Sequence, residues 1–369
     1  MGDGTITVWC LLGKKAGDNT QVRALAEELG WGFVEKHITA RAWELLVHFG
    51  AGTSLAGIDR AQSSELVAPW PDIVISAGRR NEPVARWIQR QSGGHTRLVH
   101  IGRPWAPLSA WDLIVTTPQY FLPQRANIVH NKLPLHRFTA EDLSRAEQFR
   151  PQWQHLPRPW VAVLMGGDSG RFVMTPGKGR RLGALAQALA AGAGGSVLAT
   201  DSPRTPRAAG DAMQSQLRQP FFCYRWGDPG DNPYHGLLAL ADAFVVTGES
   251  MSMLGEAVHT GKPLFIFDVG DAQSWWRLPH NYTYKSLTHR LAMRVGPQRM
   301  RRDIGNIQQV LVGSGRAQWL AQQALAPAVQ ALQARMQAAP ALEEEKEDSI
   351  VRADLQRATQ AVRQLVTAR

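Results

Sequence analysis

The segment VVTGESMSMLGEAVHTGKPLFIFD, from Val245 to Asp268, sets a polar elbow between two apolar runs. Val245 and Val246 end a buried strand, and Gly248, Glu249, Ser250 and Ser252 lead into a short helix. Glycine admits close backbone approach, and Ser250 or Ser252 can cap the helix through its hydroxyl. Helical spacing predicts that Glu249, Ser252 and Glu256 point roughly the same way. A carboxylate at Glu256 suits two ribose hydroxyls, each donating one hydrogen bond, although a surface glutamate on an amphipathic helix would look the same. Gly261-Lys262-Pro263 then ends the helix.

Further stretches combine glycine with cations and hydrogen-bonding side chains. VLMGGDSGRF (163–172) follows an apolar run. Its glycines, Gly166, Gly167 and Gly170, let backbone N–H groups approach phosphate oxygens; Ser169 can donate to them, and Arg171 and Lys178 can balance their charge. A bare βα turn would need the same glycines for geometry alone. LLGKKAGDNTQ (11–21) puts Lys14 and Lys15 beside Asp18, Asn19 and Thr20, which suit N-caps of a helix starting near Gln21. In DIVISAGRRNEP (72–83), Arg79 and Arg80 stand with Asn81 at a helix entry. Cations there oppose the helix dipole, and an anionic ligand would relieve the conflict; a solvated basic corner is the plainer alternative. His100, Arg103, Trp105 and Thr116–Tyr120 end two later strands and offer a wall for a sugar or ring, though core packing is the commoner fate of a tryptophan.

The elements that must position these residues alternate strand and helix, the pattern of parallel α/β domains. Strands are predicted at 5–12, 33–37, 72–76, 97–101, 113–116 and 128–131, with helices at 21–29 and 81–90. QFRPQWQHLPRPW (148–160), with three prolines, predicts a linker. The pattern then restarts, with strands at 160–165, 196–200, 221–224, 243–247 and 264–268 and a helix at 179–191. Beyond Asn306 the apolar spacing is helical, with Pro327 a kink. The expected fold class is α/β: two tandem Rossmann-like domains, 1–150 and 151–310, with C-terminal helices over 311–369 packing on them.

A length of 369 residues, 44% hydrophobic and 20% charged, suits a globular protein of two domains. Two cysteines, Cys10 and Cys223, disfavour a disulfide framework or a CxxC metal site and predict a reducing, cytoplasmic setting. No apolar run nears the roughly 18 residues that span a bilayer. The first strand starts without a basic leader, and Ile6 stands where a myristoylation motif needs Ser or Thr. A net charge of +10 and 13 tryptophans predict an anionic partner. The cations are scattered as GRR, KGRR and RMRRD without a nucleic-acid motif, which makes nucleic acid the poorer choice. Neither GxGxxG nor GxxxxGK[ST] is present, against a standard dinucleotide fold or a P-loop.

Taken in order, GKKAGDNTQ, GRRNEP, TTPQY, MGGDSGRF and VVTGESMSMLGEAVHTGKPLFIFD resemble the mitochondrial-fission ELM-type family, from about Thr5 to Asn306. Within them, GESMSMLGEAVHTGKP is similar to the donor-site segment of GT-B glycosyltransferases, where a serine-rich turn precedes a helix carrying EA…GKP. The resemblance implies that Glu256 binds the donor ribose and that Gly248, Glu249, Ser250 and Ser252 edge the donor pocket. It puts Gly166, Gly167, Ser169 and Gly170 near the pyrophosphate, with Arg171 and Lys178, and GKKAGDN near the acceptor.

The implied activity is glycosyl transfer from a nucleotide-diphosphate sugar, a co-substrate rather than a cofactor. With no DxD motif the transfer would be metal-independent, and the acceptor would be anionic, such as a lipid-linked envelope precursor. Asn19, Arg79, Arg80, Asn81 and Arg103 would hold the acceptor, with Asp18 as base and Lys14 nearby to hold it ionised. A nucleotide-sugar epimerase or hydrolase shares the architecture, and a membrane-associated nucleotide-sugar-binding adaptor would show no turnover. Basic charge and tryptophans also suit peripheral contact with the inner face of an anionic membrane.

Overall fold

The computed structural model describes residues 6–41, 52–137, 140–169, 172–218, 220–270, 294–296, 302–337 and 349–367. The chain divides into two units, one of residues 1–137, 301–303 and 349–369, the other of 138–300 and 304–348. Each is built round one six-stranded parallel sheet.

In the first unit, β1 (Val8–Leu12), β2 (Phe33–His37), β3 (Ile73–Ala77), β4 (Arg97–Ile101), β5 (Leu113–Thr116) and β6 (Ile128–His130) lie in the order β2-β1-β3-β4-β5-β6. β1 is an unbroken apolar run and β3 nearly one, broken by Ser76, because both faces of this parallel sheet are covered. Alternation splits the core. Val8, Cys10 and Leu12 pack with α1 (Ala16–Leu29), while Trp9 and Leu11 pack with Ile88 of α2 (Glu82–Gln91) on the other face.

The second unit runs α3 (Ala140–Glu147), α4 (Arg150–Trp153), β7 (Trp160–Met165), α5 (Pro176–Gly192), β8 (Ser196–Asp201), α6 (Arg207–Gln214), β9 (Phe221–Tyr224) and α7 (Tyr234–Leu240). It continues through β10 (Ala243–Thr247), α8 (Met251–His259), β11 (Leu264–Phe267), α9 (Gly305–Gly313), β12 (Gln318–Leu320) and α10 (Leu325–Gln337). Its strand order is β12-β11-β10-β7-β8-β9. The winding thus reverses between β1 and β3 in one sheet and between β7 and β10 in the other. The last described helix, α11 (Ser349–Thr367), belongs to the first unit.

The expected fold class holds in that each unit is a Rossmann-like α/β layer with helices on a parallel sheet. Several boundaries move. α1 begins at Ala16, with Lys15 as an N-cap that makes no side-chain cap bond, so Asp18, Asn19 and Thr20 fall inside the helix. Asn19 is otherwise engaged: its Oδ1 accepts from Gly13 N–H at 2.9 Å and its Nδ2 donates to Gly13 O at 2.8 Å. α5 starts at Pro176, where Thr175 Oγ1 accepts from Lys178 N–H.

The 148–160 stretch is no open linker. α4 forms within it, and Trp153, fully buried, stacks on Phe149 with ring centroids 5.7 Å apart. The division accordingly falls at 137/138, since α3 packs on α7 of the second unit. The region after Asn306 contains a strand as well as helices, because β12 extends the second sheet beside β11. The C-terminal helices part company: α10 packs on α5, whereas α11 packs on α1. Asp354 pins α11 by accepting from the N–H groups of Lys132 and Leu133 at 2.7 and 2.8 Å. Among the described residues, no helix is long and apolar enough to cross a membrane.

Candidate functional site

Open α/β sheets bind ligands outside the carboxyl ends of their strands, where the winding reverses. In the second unit that point lies between β7 and β10, which pair directly and bring Gly166–Ser169 beside Thr247–Ser250. Thr247 Oγ1 accepts from Gly166 N–H at 2.7 Å and donates to Glu249 Oε1 at 3.3 Å. Glu249 is 1% exposed, and its Oε2 has no hydrogen-bond partner among the described residues. Burial pushes this carboxyl up to about 7, against the pull of the Arg204 guanidinium and of N–H groups including that of Gly167. Ser250, also buried, leaves its Oγ unpartnered among the described residues. Ser250 is the N-cap of α8 yet makes no side-chain cap bond. Helix geometry leaves the N–H groups of Met251, Ser252 and Met253 without intrahelical partners. Two unpartnered polar atoms and a helix N-terminus therefore coincide at the switch point.

The phosphate donors expected of the glycine turn are spent inside the protein. Gly166 N–H goes to Thr247, Asp168 N–H to Arg204 O and Ser169 N–H to Phe172 O. The glycines serve close packing instead: a Cβ on Gly166 would overlap Glu249 Oε1, and one on Gly167 the backbone carbonyl of Arg204. The N–H groups left without intrahelical partners lie instead in the first turn of α8. Lys178 donates from Nζ to Val173 O at 2.8 Å, and Gly170 and Arg171 lie outside the described residues.

Glu249, Ser252 and Glu256 do not form one face. Glu249 precedes α8 and lies against the Gly166 turn, whereas Glu256 takes a hydrogen bond from the Tyr234 hydroxyl of α7. One of the two oxygens expected for a ribose is thus engaged, and burial pushes the Glu256 carboxyl up to about 7. Gly248 is held at both ends, donating to Phe267 O at 2.9 Å and accepting from Gln308 Nε2 at 2.7 Å. Sequence reasoning passed over Arg204, Tyr234 and Trp226. Trp226 is 53% exposed beyond β9, its backbone N–H donating to Asp201 Oδ1 at 2.6 Å. The aromatic inside YRWGD, just after a strand, was its available signal.

At the first sheet's switch point, Asn81 Nδ2 donates to Leu11 O at 3.0 Å and its side chain packs on Gly13. Asn19 and Asn81 therefore position loops rather than face a ligand. Asp18 Oδ2 lies over Gly78 (φ 70°), 2.6 Å from where a Cβ would stand. The cation at Asp18 is Lys15 rather than Lys14, with Nζ and Oδ2 3.8 Å apart. Arg79 lies over the Trp105 ring at 4.8 Å. Glu82, 1% exposed, fixes that loop by accepting from the N–H groups of Trp105 and Ala106 at 2.8 and 2.9 Å. Burial pushes Glu82 up to about 7 against those N–H groups and Arg86 and Arg79.

Arg103, expected at an acceptor, donates to the backbone carbonyl of Tyr120 and so braces the loop after β5. Arg302, which enters from the 301–303 return segment, donates to Gln119 Oε1 at 2.8 Å and lies over the Tyr120 ring at 5.7 Å. His100 is fully buried, 3.1 Å from Ser76 Oγ, and burial drives it down to about 3, so it is a neutral core residue. No cluster of His, Cys, Asp and Glu among the described residues is placed to hold a metal ion.

The sequence profile of the family described as mitochondrial fission ELM1 matches residues 16–300. The mitochondrial fission protein ELM1 of Arabidopsis thaliana is 28% identical over 248 residues, which are 61% of this chain; the chain spans 57% of that protein's length. An uncharacterized protein of Rickettsia prowazekii is 22% identical over 299 residues, 71% of this chain and 83% of that one. Among solved structures, UDP-N-acetylglucosamine 2-epimerase of Rickettsia bellii superposes with a TM-score of 0.50 at 11% identity, covering 99% of this chain and 97% of its own. MurG of Acinetobacter baumannii gives 0.45 at 13% identity, covering 99% and 100%. At these identities the likeness is one of fold.

Proposed function

The chain belongs to the mitochondrial fission ELM1 family, and on its GT-B fold we propose a metal-independent glycosyltransferase that takes a nucleotide-diphosphate sugar in the second unit and an anionic acceptor in the first. One observation carries the reading: Glu249 Oε2 and Ser250 Oγ are buried and unpartnered among the described residues, at the start of α8. A diphosphate there would accept from the first-turn N–H groups of α8 and from Ser250. Glu249, protonated up to about pH 7, would donate through Oε2, and Arg204 would add positive charge. Glu256 has a second oxygen for a ribose hydroxyl beside the one on Tyr234. Trp226 offers an exposed ring for a base.

For an inverting transfer, Asp18 of the first unit is the group proposed to take the proton of the acceptor hydroxyl. Lys15, 3.8 Å from Asp18, supplies the balancing charge. The acceptor's anionic character and a peripheral contact with an anionic leaflet rest on the net charge of +10.

A thermal-shift panel of nucleoside diphosphates and their sugars tests this, followed by turnover assays on every hit. At least one nucleotide should raise the melting temperature, and Ser250→Ala should weaken it about tenfold. Sugar released or epimerised without an acceptor would point to a hydrolase or epimerase, and binding without turnover to an adaptor. If no nucleotide raises the melting temperature, the donor site does not exist as described.

A further inference from the structure

In the second unit, α7 opens on a tyrosine whose hydroxyl meets a buried acid of α8. Within DNPYH, Asn232 Oδ1 accepts from Tyr234 N–H at 3.0 Å and so sets the first residue of the helix. The Tyr234 ring meets that of His235 edge-on, with centroids 5.7 Å apart. Near the other end of α7, Lys262 Nζ donates to Ala239 O at 2.6 Å and ties the helix to the turn after α8. From this fixed helix the Tyr234 hydroxyl donates to Glu256 Oε2. Burial, with the Glu256 charge behind it, holds the phenol's pKa well above 10, so the tyrosine is the donor of the pair.

The two oxygens of Glu256 are therefore unequal. Oε2 is held by the phenol, whereas Oε1 takes no hydrogen bond among the described residues. A vicinal diol clamps a carboxylate by donating one hydrogen bond to each oxygen. Little of this carboxyl is open to such a clamp: Glu256 keeps 8% of its surface exposed, and the phenol fills the side of Oε2. The clamp closes only if Tyr234 withdraws, and α7 is tied at both ends. One hydroxyl on Oε1 is what the acid lacks. Burial pushes it up to about 7 against the pull of the Tyr234 bond, and one more donor would favour its charged form.

We propose that Tyr234 confines Glu256 to a single ribose hydroxyl, so that a donor nucleotide lacking the other hydroxyl binds as well as the full ribonucleotide. This rests on the ribose role proposed above for Glu256 and adds which nucleotides that role admits. Tyr234 is a positioning residue, since it acts through the carboxylate.

Titration calorimetry of the full chain with UDP, ADP and GDP, each beside its 2′-deoxy and 3′-deoxy forms, tests this. On the nucleotide that binds, removal of one hydroxyl should weaken wild type about tenfold and removal of the other less than about threefold. Tyr234→Phe takes away only the phenol oxygen and frees Oε2, so both removals should then cost about tenfold. A merely structural tyrosine would lower the melting temperature without changing which hydroxyl matters. The wild-type comparison needs no variant, so it decides the matter even if Tyr234→Phe fails to fold. The inference is overturned if both removals cost wild type about tenfold, or if natively melting Tyr234→Phe stays indifferent to the same hydroxyl. Either outcome leaves the donor reading intact. If neither removal matters, Glu256 does not read the ribose, and the inference falls while the proposed diphosphate contact at α8 stands. If no nucleotide binds, the donor reading and the inference fail together.

Discussion

Replacing Glu249 by glutamine probes how dry the second switch point is. The carboxyl moves from 4.5 to about 7 on folding, chiefly through burial. At about 1.4 kcal/mol per unit, ionising it in place costs on the order of 3 kcal/mol. The folded chain keeps this proton longer than the unfolded chain. Stability from this group is therefore full below pH 4.5, falls as the pH rises, and is lost above about pH 7. Glutamine has nothing to ionise. It should cost about 1 kcal/mol near pH 5, where it replaces a neutral acid with altered hydrogen bonding. Near pH 8 the order should invert, the variant becoming more stable than wild type by about 2 kcal/mol. Urea unfolding at a series of pH values gives the difference, and carbon-13 NMR of labelled glutamates gives the titration directly, the resonance that Glu249→Gln removes being the one to follow. A stability difference constant from pH 5 to 8, or a midpoint for that resonance near 4.5, would refute the reasoning.

Asn19→Ala removes both bonds that tie α1 to Gly13 and should cost about 1–2 kcal/mol by urea unfolding. Gly167→Ala drives a methyl into the Arg204 carbonyl and should cost about 1–3 kcal/mol, read as a lower melting temperature. Asp354→Ala strips the partner from two backbone N–H groups and from Arg357, and should cost about 2–3 kcal/mol. Amide exchange at Lys132 and Leu133 should accelerate well before that of β1.

The strands were legible because a sheet covered on both faces writes itself as unbroken apolar runs, such as VWCLL and WVAVLM. β12 was not, since its three residues sit inside an Ala- and Gln-rich stretch with helical spacing. The start of α1 was misplaced because polar residues suited to capping lay one turn inside the helix, with Asn19 reaching back to Gly13. Lys15 and Lys14 stand three and four residues from Asp18, spacings that both face it on a helix; the choice of Lys15 followed only once α1 was seen to begin at Ala16, with Lys15 as its N-cap. Glu249 and Gly166 were both noticed, but their contact joins residues from strands far apart in sequence. Nothing local predicts that a glycine turn will spend an N–H group on a threonine 81 residues later. Arg302 was visible only as one charge in RMRRD, because its neighbours Gln119 and Tyr120 come from the other end of the chain.

The placement of α11 has a consequence for synthesis. Leu355, Ala358 and Val362 complete the core on the α1 face of the first sheet, and Asp354 reaches Leu133 across 221 residues. At ~5–20 residues per second, a ribosome needs roughly 10 to 40 s to traverse that interval. Meanwhile β7 to β12 emerge in full, so the second unit can close while the first still shows an apolar face to water. The half made first is finished last, and for that interval it is the part of the nascent chain that most needs a chaperone's cover.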